Sequence, residues 1–287
     1  MYRSRDVWAM EKTMVSENQP VNVPVIPLAE EALRSWLLPE YQNIPVTVLA
    51  SVDSTNSYLK KMAAEGAAAH TLVLAEGQTA GRGRRGRNFY SPGGTGLYMS
   101  VLLRPRQPLA DAQMTTIVAA VAVARALERM APRAEPRIKW VNDIFSHGRK
   151  VCGILAEAAD IGTDGRVGVM VVGVGVNVST ADFPEEIRST AASLKGIAEI
   201  DRNRLAAEIV NGFLSMADNI TDAARREILR DYRVRSLAVG RQITYEEKGQ
   251  RVAATVMGIN DKGNLVVRRA EDKVIATLSS GEISIKL

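Results

Sequence analysis

The stretch from Gly77 to Pro92 constrains this chain more than any other. It reads Gly-Gln-Thr-Ala-Gly-Arg-Gly-Arg-Arg-Gly-Arg-Asn-Phe-Tyr-Ser-Pro, with glycines at 81, 83 and 86 set among arginines at 82, 84, 85 and 87. A run this rich in glycine and charge has to be a loop, and apolar segments flank it on both sides. Glycine lets a backbone turn tightly and approach a ligand. Arginine stays charged and matches carboxylate and phosphate geometry. The plainer readings are a solvated loop or a nucleic-acid contact, but the run lies between two strand-like segments and ends on two rings, Phe89 and Tyr90. It is not a phosphate loop of the Gly-x-x-x-x-Gly-Lys-Ser/Thr kind, because no such lysine follows the glycines. Gly81-x-Gly83-x-x-Gly86 has dinucleotide-fingerprint spacing, but Ser91-Pro92-Gly93-Gly94 stands where that motif needs a helix.

Length and composition set the frame. A chain of 287 residues suits one large domain, or a medium domain with a small one. Hydrophobic residues make up 46% and charged residues 24%, enough apolar content for a real core. No run reads as long and apolar enough to span a membrane, and the N-terminus reads without a secretory signal. The single cysteine, Cys152, has no partner for an internal disulfide, and with only two histidines a zinc site is poorly provided for. The expected location is cytoplasmic. The formal charge of +5 suits nucleic acid or anionic small molecules equally and does not choose between them.

Periodicity and turn residues give the order of elements. Residues 1–27 are polar and irregular and read as a flexible tail. Leu28 to Leu38 has helical spacing that Pro39 ends. Val46 to Ala50 and Thr71 to Ala75 read as strands, with a helix after Asp53-Ser54-Thr55-Asn56, a run of N-cap residues. Leu97 to Leu103 alternates as a strand with one strongly apolar face, and Leu109 to Met130 reads as a long, mostly buried helix. Short strands follow at Arg137 to Trp140 and Lys150 to Glu157. Asp164-Gly165 signals a hairpin into a long Val/Gly strand from Val167 to Val178. Asp201 caps a helix, and a second runs from Asp222 to Tyr232. After Ser236 to Val239 the chain turns to short strands spaced by turns, which reads as a small β-barrel.

Three polar clusters fall at strand ends: Ser54-Thr55-Asn56, Gln78 to Phe89, and Lys139 to Lys150. Loops on one sheet edge converge, and sites form there. Lys139 and Lys150 sit among apolar neighbours, which is costly without a partner or ligand, although lysines more often snorkel to solvent. Asn142 and Asp143 suit a metal-bound phosphate, and equally a turn or helix cap.

Five segments in order resemble the biotin protein ligases. Gly81 to Arg87 is similar to that family's adenylate loop, and Lys139-Trp-Val-Asn-Asp-Ile144 to its Lys-Trp-Pro-Asn-Asp segment. Lys150-Val-Cys-Gly-Ile-Leu-Ala-Glu157 resembles the strand that carries its binding lysine; Asp53 to Asn56 and Gly281 to Ser284 match as well. The resemblance runs from about Leu28 to the C-terminus. It implies an α+β protein: a class II aminoacyl-tRNA-synthetase-like catalytic domain over 28–237, with a mixed sheet and helices, then an SH3-like β-barrel over 238–287.

It also implies an activity: biotin and ATP, with magnesium, form biotinyl-5′-AMP, which a lysine of a biotin carboxyl carrier protein then attacks. Arg82, Arg84 and Lys150 are the implied catalytic cations. Ser54, Thr55, Asn56, Gln78, Gly83, Gly153, Gly173 and Gly175 complete the implied biotin pocket with them, the last three as a floor only small residues leave open. Arg85, Arg87, Phe89, Lys139, Asn142, Asp143 and Asn177 are the implied ATP-binding residues, with Phe89 on adenine and Asp143 toward Mg2+. Residues 81–90 are expected to be mobile in the empty enzyme and to fold over the adenylate.

Val141 departs from the family's usual proline, which costs no functional atom. Too few residues precede the first helix for the DNA-binding domain of bifunctional members, so the resemblance points to the monofunctional class, with no specific DNA binding and no membrane. A homodimer is among the assemblies it allows. Lipoate ligases and octanoyltransferases share the catalytic fold and stay as the nearest alternative; a biotin-responsive DNA-binding protein is the rival from another class.

Overall fold

The computed structural model describes residues 26–285. Most of the expected tail, residues 1–25, lies outside them. Two sheets organise the chain. The larger is built from β1 (Val46–Leu49), β2 (Leu72–Ala75), β3 (Gly96–Leu103), β4 (Gln107–Pro108), β5 (Arg137–Lys139), β6 (Asp143–Ser146), β7 (Arg149–Ile161) and β8 (Arg166–Asn177). Its order is β1-β2-β3-β8-β7-β6-β5, with β4 beside β8. Only β1 and β2 run parallel; the other pairs are antiparallel. The helices are α1 (Glu30–Arg34), α2 (Thr55–Ala64), α3 (Ala112–Met130), α4 (Glu185–Arg188), α5 (Arg202–Asp218) and α6 (Asp222–Val234). The second sheet holds β9 (Gln242–Glu247), β10 (Gln250–Ile259), β11 (Leu265–Arg269), β12 (Ile275–Leu278) and β13 (Ile283–Ile285), in the order β12-β11-β10-β9-β13 and antiparallel throughout.

Helices cover the large sheet unequally. On one face Leu72, Leu74, Leu97, Met99 and Val101 join the main core with α3 and α5. On the other, Leu59 and Ala63 of α2 pack on Val73, Leu102, Val169 and Val171. This corrects the expectation of a single apolar face on β3, because all eight of its residues are buried. Tyr98 and Ser100 are the polar members of the α2 face.

A second correction concerns Leu109–Met130, which has the length and composition of a membrane span. It is apolar nearly all round because it is packed against the sheet and both α5 and α6, as a core helix must be. The expected helix from Leu28 to Leu38 shortens to α1 followed by a 3-10 turn over Pro39–Tyr41. Asp201 caps α5 as expected, accepting from the amides of Asn203 and Arg204. β13 and the short α4 have too few residues to show a period in sequence.

The second sheet is pinned to the first unit through a turn. Trp140 Nε1 donates to Gly263 O at 3.0 Å, and Gln113 Nε2 donates to the same carbonyl at 2.9 Å. Gly263 has a φ of +81°, and a Cβ there would lie 2.1 Å from Ile117 Cδ1. Both conformation and space therefore require glycine.

A buried ion pair ties three segments together. Arg202 is 3% exposed and reaches both oxygens of Glu76, at 2.7 and 3.3 Å. It also donates to Ile26 O and Gly96 O, while Glu76 accepts from Leu28 N. Removing one partner of such a pair strands the other charge, at a cost of about 3–5 kcal/mol. Arg202→Met is expected to destabilise the protein by about 3 kcal/mol in urea titrations; a loss under about 1 kcal/mol would show the pair to be screened like a surface one.

Candidate active site

Strand register draws the site. Ala75, Tyr98, Gly175, Gly153, Asp143 and Lys139 are successive cross-strand partners from β2 to β5. Directly opposed residues share a face, so this row places a lysine and a carboxylate beside two residues that have no side chain. The neighbouring row runs Val73, Ser100, Gly173, Leu155. On this face α2 covers Leu102 and Val171, and beyond its first turn the three glycines leave a hollow.

The start of α2 is wired into this hollow. Ser54 stands at the N-cap but makes no side-chain cap. Instead the Thr55 amide donates to Gln78 Oε1 at 2.9 Å, and Gln78 Nε2 donates to Ser91 Oγ at 2.9 Å. The end of α2 is thus satisfied by the Gly/Arg loop. Ser100 Oγ donates to Asn56 Oδ1 at 2.6 Å and lies 2.8 Å from Thr55 Oγ1. Asn56 Nδ2 donates to Glu157 Oε2 at 2.9 Å, so both ends of its amide are fixed.

The Gly/Arg loop folds back over the hollow. Phe89 N donates to Gly81 O at 2.8 Å, Gly83 N to Arg87 O at 2.7 Å, and Arg82 forms a bridge with Asn88. The turn passes through left-handed backbone at Arg85 and Gly86. Arg84 Nη1 donates to Asn142 Oδ1 at 3.0 Å and Arg84 Nη2 to Gly281 O at 3.4 Å. Arg87 Nη2 donates to Glu282 Oε2 at 2.6 Å. The loop is therefore strapped to the second sheet. The Phe89 ring lies directly on the floor: a Cβ at Gly175 would meet it at 2.5 Å, and one at Gly153 at 3.1 Å.

A cleft open to solvent remains between the loop and the floor. Arg82, Arg84, Arg85, Arg87, Lys139 and Lys150 line it, against two carboxylates, Asp143 and Glu282. Burial lowers the pKa of Arg84 and of Lys139, with Asp143 opposing the shift in each case. Lys150 Nζ lies 2.8 Å from Asp143 Oδ1, but too obliquely for a directed hydrogen bond, so that buried oxygen has charge attraction alone. An excess of cations around a half-buried hollow is a receptor for an anion.

The residues singled out in sequence meet here with one exception. Ser54, Thr55, Asn56, Gln78, Gly83, Phe89, Asn142, Gly153, Gly173 and Gly175 line the cleft with the six cations and Asp143. Asn177 does not; it is 4% exposed, pairs with Gly96, and its amide donates to Ala192 O. Sequence reasoning passed over Gly281 and Glu282 as site residues, although their segment was among those that carried the resemblance.

Known proteins are similar to this chain in sequence and fold. Residues 48–177 match the biotin/lipoate A/B protein ligase family, and residues 239–286 match the biotin protein ligase C terminal domain. The biotin–[acetyl-CoA-carboxylase] ligase of Mycobacterium tuberculosis is 34% identical over 265 residues, which are 90% of this chain and 95% of that protein.

The chain belongs to the biotin protein ligase family.

It is an enzyme, a ligase. The bifunctional ligase/repressor BirA of Bacillus subtilis is 32% identical over 85% of this chain and 75% of its own length. The solved biotin protein ligase of Aquifex aeolicus, in complex with biotin and ATP, superposes with a TM-score of 0.72 at 27% identity, covering 84% of this chain and 98% of that one. Within this biotin ligase the glycine floor is open to direct test. A methyl group at Gly173 would stand 2.2 Å from Asn56 Oδ1 and force the amide off Ser100. Gly173→Ala is expected to destabilise the protein by about 1–3 kcal/mol in urea titrations, the usual cost of overpacking. Unchanged stability would show that the Asn56 amide gives way without cost.

Proposed function

We propose that this chain attaches biotin to one lysine of a biotin carboxyl carrier protein, by way of biotinyl-5′-AMP. The observation that carries this reading is the single cleft that joins a side-chain-free floor to six cations. A fused bicyclic ring needs the former; a carboxylate and a triphosphate brought together need the latter.

In this reading the bicyclic ring of biotin rests on Gly153, Gly173 and Gly175, with Ser54, Thr55, Asn56 and Gln78 supplying polar partners at its end. The ring of Phe89 now fills part of that floor, so it leaves when biotin enters, and stacks on adenine once ATP follows. Arg82, Arg84 and Lys150 hold the biotin carboxylate against the α-phosphate and offset the charge that repels them. The carboxylate oxygen attacks phosphorus, pyrophosphate departs, and the cations balance the charge that builds on the phosphoryl oxygens. Arg85, Arg87 and Lys139 bind the triphosphate, and Asn142 keeps Arg84 aimed inward. The mixed anhydride must be kept from water, which the folded Gly/Arg loop does. The lysine amine of the carrier then attacks the acyl carbon, and AMP leaves.

Magnesium fits the residues present. The described residues contain no cluster of three His, Cys, Asp or Glu side chains. Mg2+ needs fewer, since it is commonly held by one or two carboxylates together with phosphates. Asp143 Oδ1, buried without a directed donor, is the oxygen that would hold it. When bound, the ion would shield phosphate charge.

The catalytic unit is read as class II aminoacyl-tRNA-synthetase-like over 28–237, and the second sheet as an SH3-like barrel over 238–287 whose Gly281 and Glu282 complete the cleft. ATP as co-substrate fits a cytoplasmic setting. Pyrophosphate release with ATP and Mg2+ tests the whole reading. Biotin, and not lipoate, is expected to support release, with sustained turnover only when a biotin carrier domain is added. A response to lipoate alone, or to neither acid, would overturn it.

A further inference from the structure

Glu157 stands outside the cleft lining yet touches two residues that belong to it. It lies on β7, on the same face as Gly153 and Leu155 and one step closer to α2. Its Oε1 accepts from Lys60 Nζ at 2.7 Å and lies 3.1 Å from Arg82 Nη2, an ion pair without a directed hydrogen bond; its Oε2 accepts from Asn56 Nδ2 at 2.9 Å. Glu157 is 17% exposed, Lys60 28% and Arg82 45%. One carboxylate is therefore shared between a site arginine and a lysine from the second turn of α2.

We infer that Lys60 and Glu157 are a positioning pair for this site: Glu157 fixes the Asn56 amide and steadies Arg82, while Lys60 keeps it from holding Arg82 too tightly. The inference rests on the biotin ligase reading above. The physical reason is competition. Arg82 has to exchange its resting partner for an anionic ligand. With Lys60 in place, the charge on Glu157 is divided between two cations. Without Lys60 all of it falls on Arg82, and the ligand must compete with an undivided carboxylate in a partly desolvated setting. Burial alone would raise the pKa of Glu157, but hydrogen bonds from Lys60 and Asn56 and the charges of Lys60 and Arg82 outweigh it and hold the carboxyl below its usual range. The carboxylate is thus charged at neutral pH and available for this role.

A double-mutant cycle separates this from simple structural support. In steady-state pyrophosphate release, Lys60→Met is expected to raise KM for biotin about tenfold, the size of a typical coupling between contacting residues. The kcat should fall less than about threefold, since saturating biotin recovers the withheld arginine. Lys60→Arg, which keeps the charge, restores the wild-type KM. In the Glu157→Gln background, where there is no charge to divide, Lys60→Met has no further effect. An equal effect in both backgrounds, or none in the wild type, would overturn the inference.

Wild-type release that does not depend on biotin would sink the parent reading instead. The pair then still has its own readout, because NMR can follow rotation of the Arg82 guanidinium in the ligand-free protein. Rotation is expected to slow in Lys60→Met and to quicken in Glu157→Gln. Unchanged rotation in both variants overturns the pair, and melting temperatures show that each variant is folded.

Discussion

Gly153 and Gly175 face each other across β7 and β8, and the site depends on that pairing. Two glycines in register remove both side chains from one spot in the middle of a sheet. Gly173 extends the gap along the same face, because residues two apart in a strand point the same way. Elsewhere the sheet is filled in the ordinary manner, with leucine and valine under α2 on one side and under α3 and α5 on the other. The hollow is thus written into the strands, and the register that brings the glycines together also sets Asp143 and Lys139 at its edge.

A hollow alone would bind nothing in particular. What gives it a chemistry is the way charge is arranged around it. Six cations close to one another repel, and burial of Arg84 and Lys139 adds to that cost. The protein offsets it with few carboxylates, each placed against a cation. Asp143 answers Lys150, and Glu282, from the far sheet, answers Arg87. Residual positive charge then remains for an anionic ligand to satisfy. The second sheet has a direct part in this, since Gly281 and Glu282 hold the loop that closes the cleft.

Much of this was legible in the chain itself. The Gly/Arg loop, the strand that carries Lys150 and the Ser54 to Asn56 run were read as convergent, and they line one cleft. Short-range signals were reliable where the physics is local, as at the Asp201 cap and the Asp164-Gly165 hairpin. Long-range pairing was less visible. Periodicity suggested one apolar face on β3 because Tyr98 and Ser100 look polar, but both are buried by what packs on them. The apolar faces of α3 were read as those of a mostly buried helix, which it is, although its length and composition also suit a membrane span. Asn177 follows the glycine strand in sequence, yet it falls at the far end of β8 and points its amide at Ala192. Glu157 and Glu282 lie in segments that carried the resemblance, but nothing near them in sequence names their partners. Only the fold brings one beneath Asn56 and the other, 195 positions along the chain, against Arg87.

The central claim is that the glycine floor and the ring of cations form one adenylate site. A crystal structure of the enzyme incubated with biotin and ATP tests it most directly. The account predicts density for biotinyl-5′-AMP with its bicyclic ring on Gly153, Gly173 and Gly175, its carboxyl–phosphate junction among Arg82, Arg84 and Lys150, and the Phe89 ring displaced from Gly175. A ligand bound elsewhere, or an adenylate in the cleft with Phe89 still seated on Gly175, would contradict it.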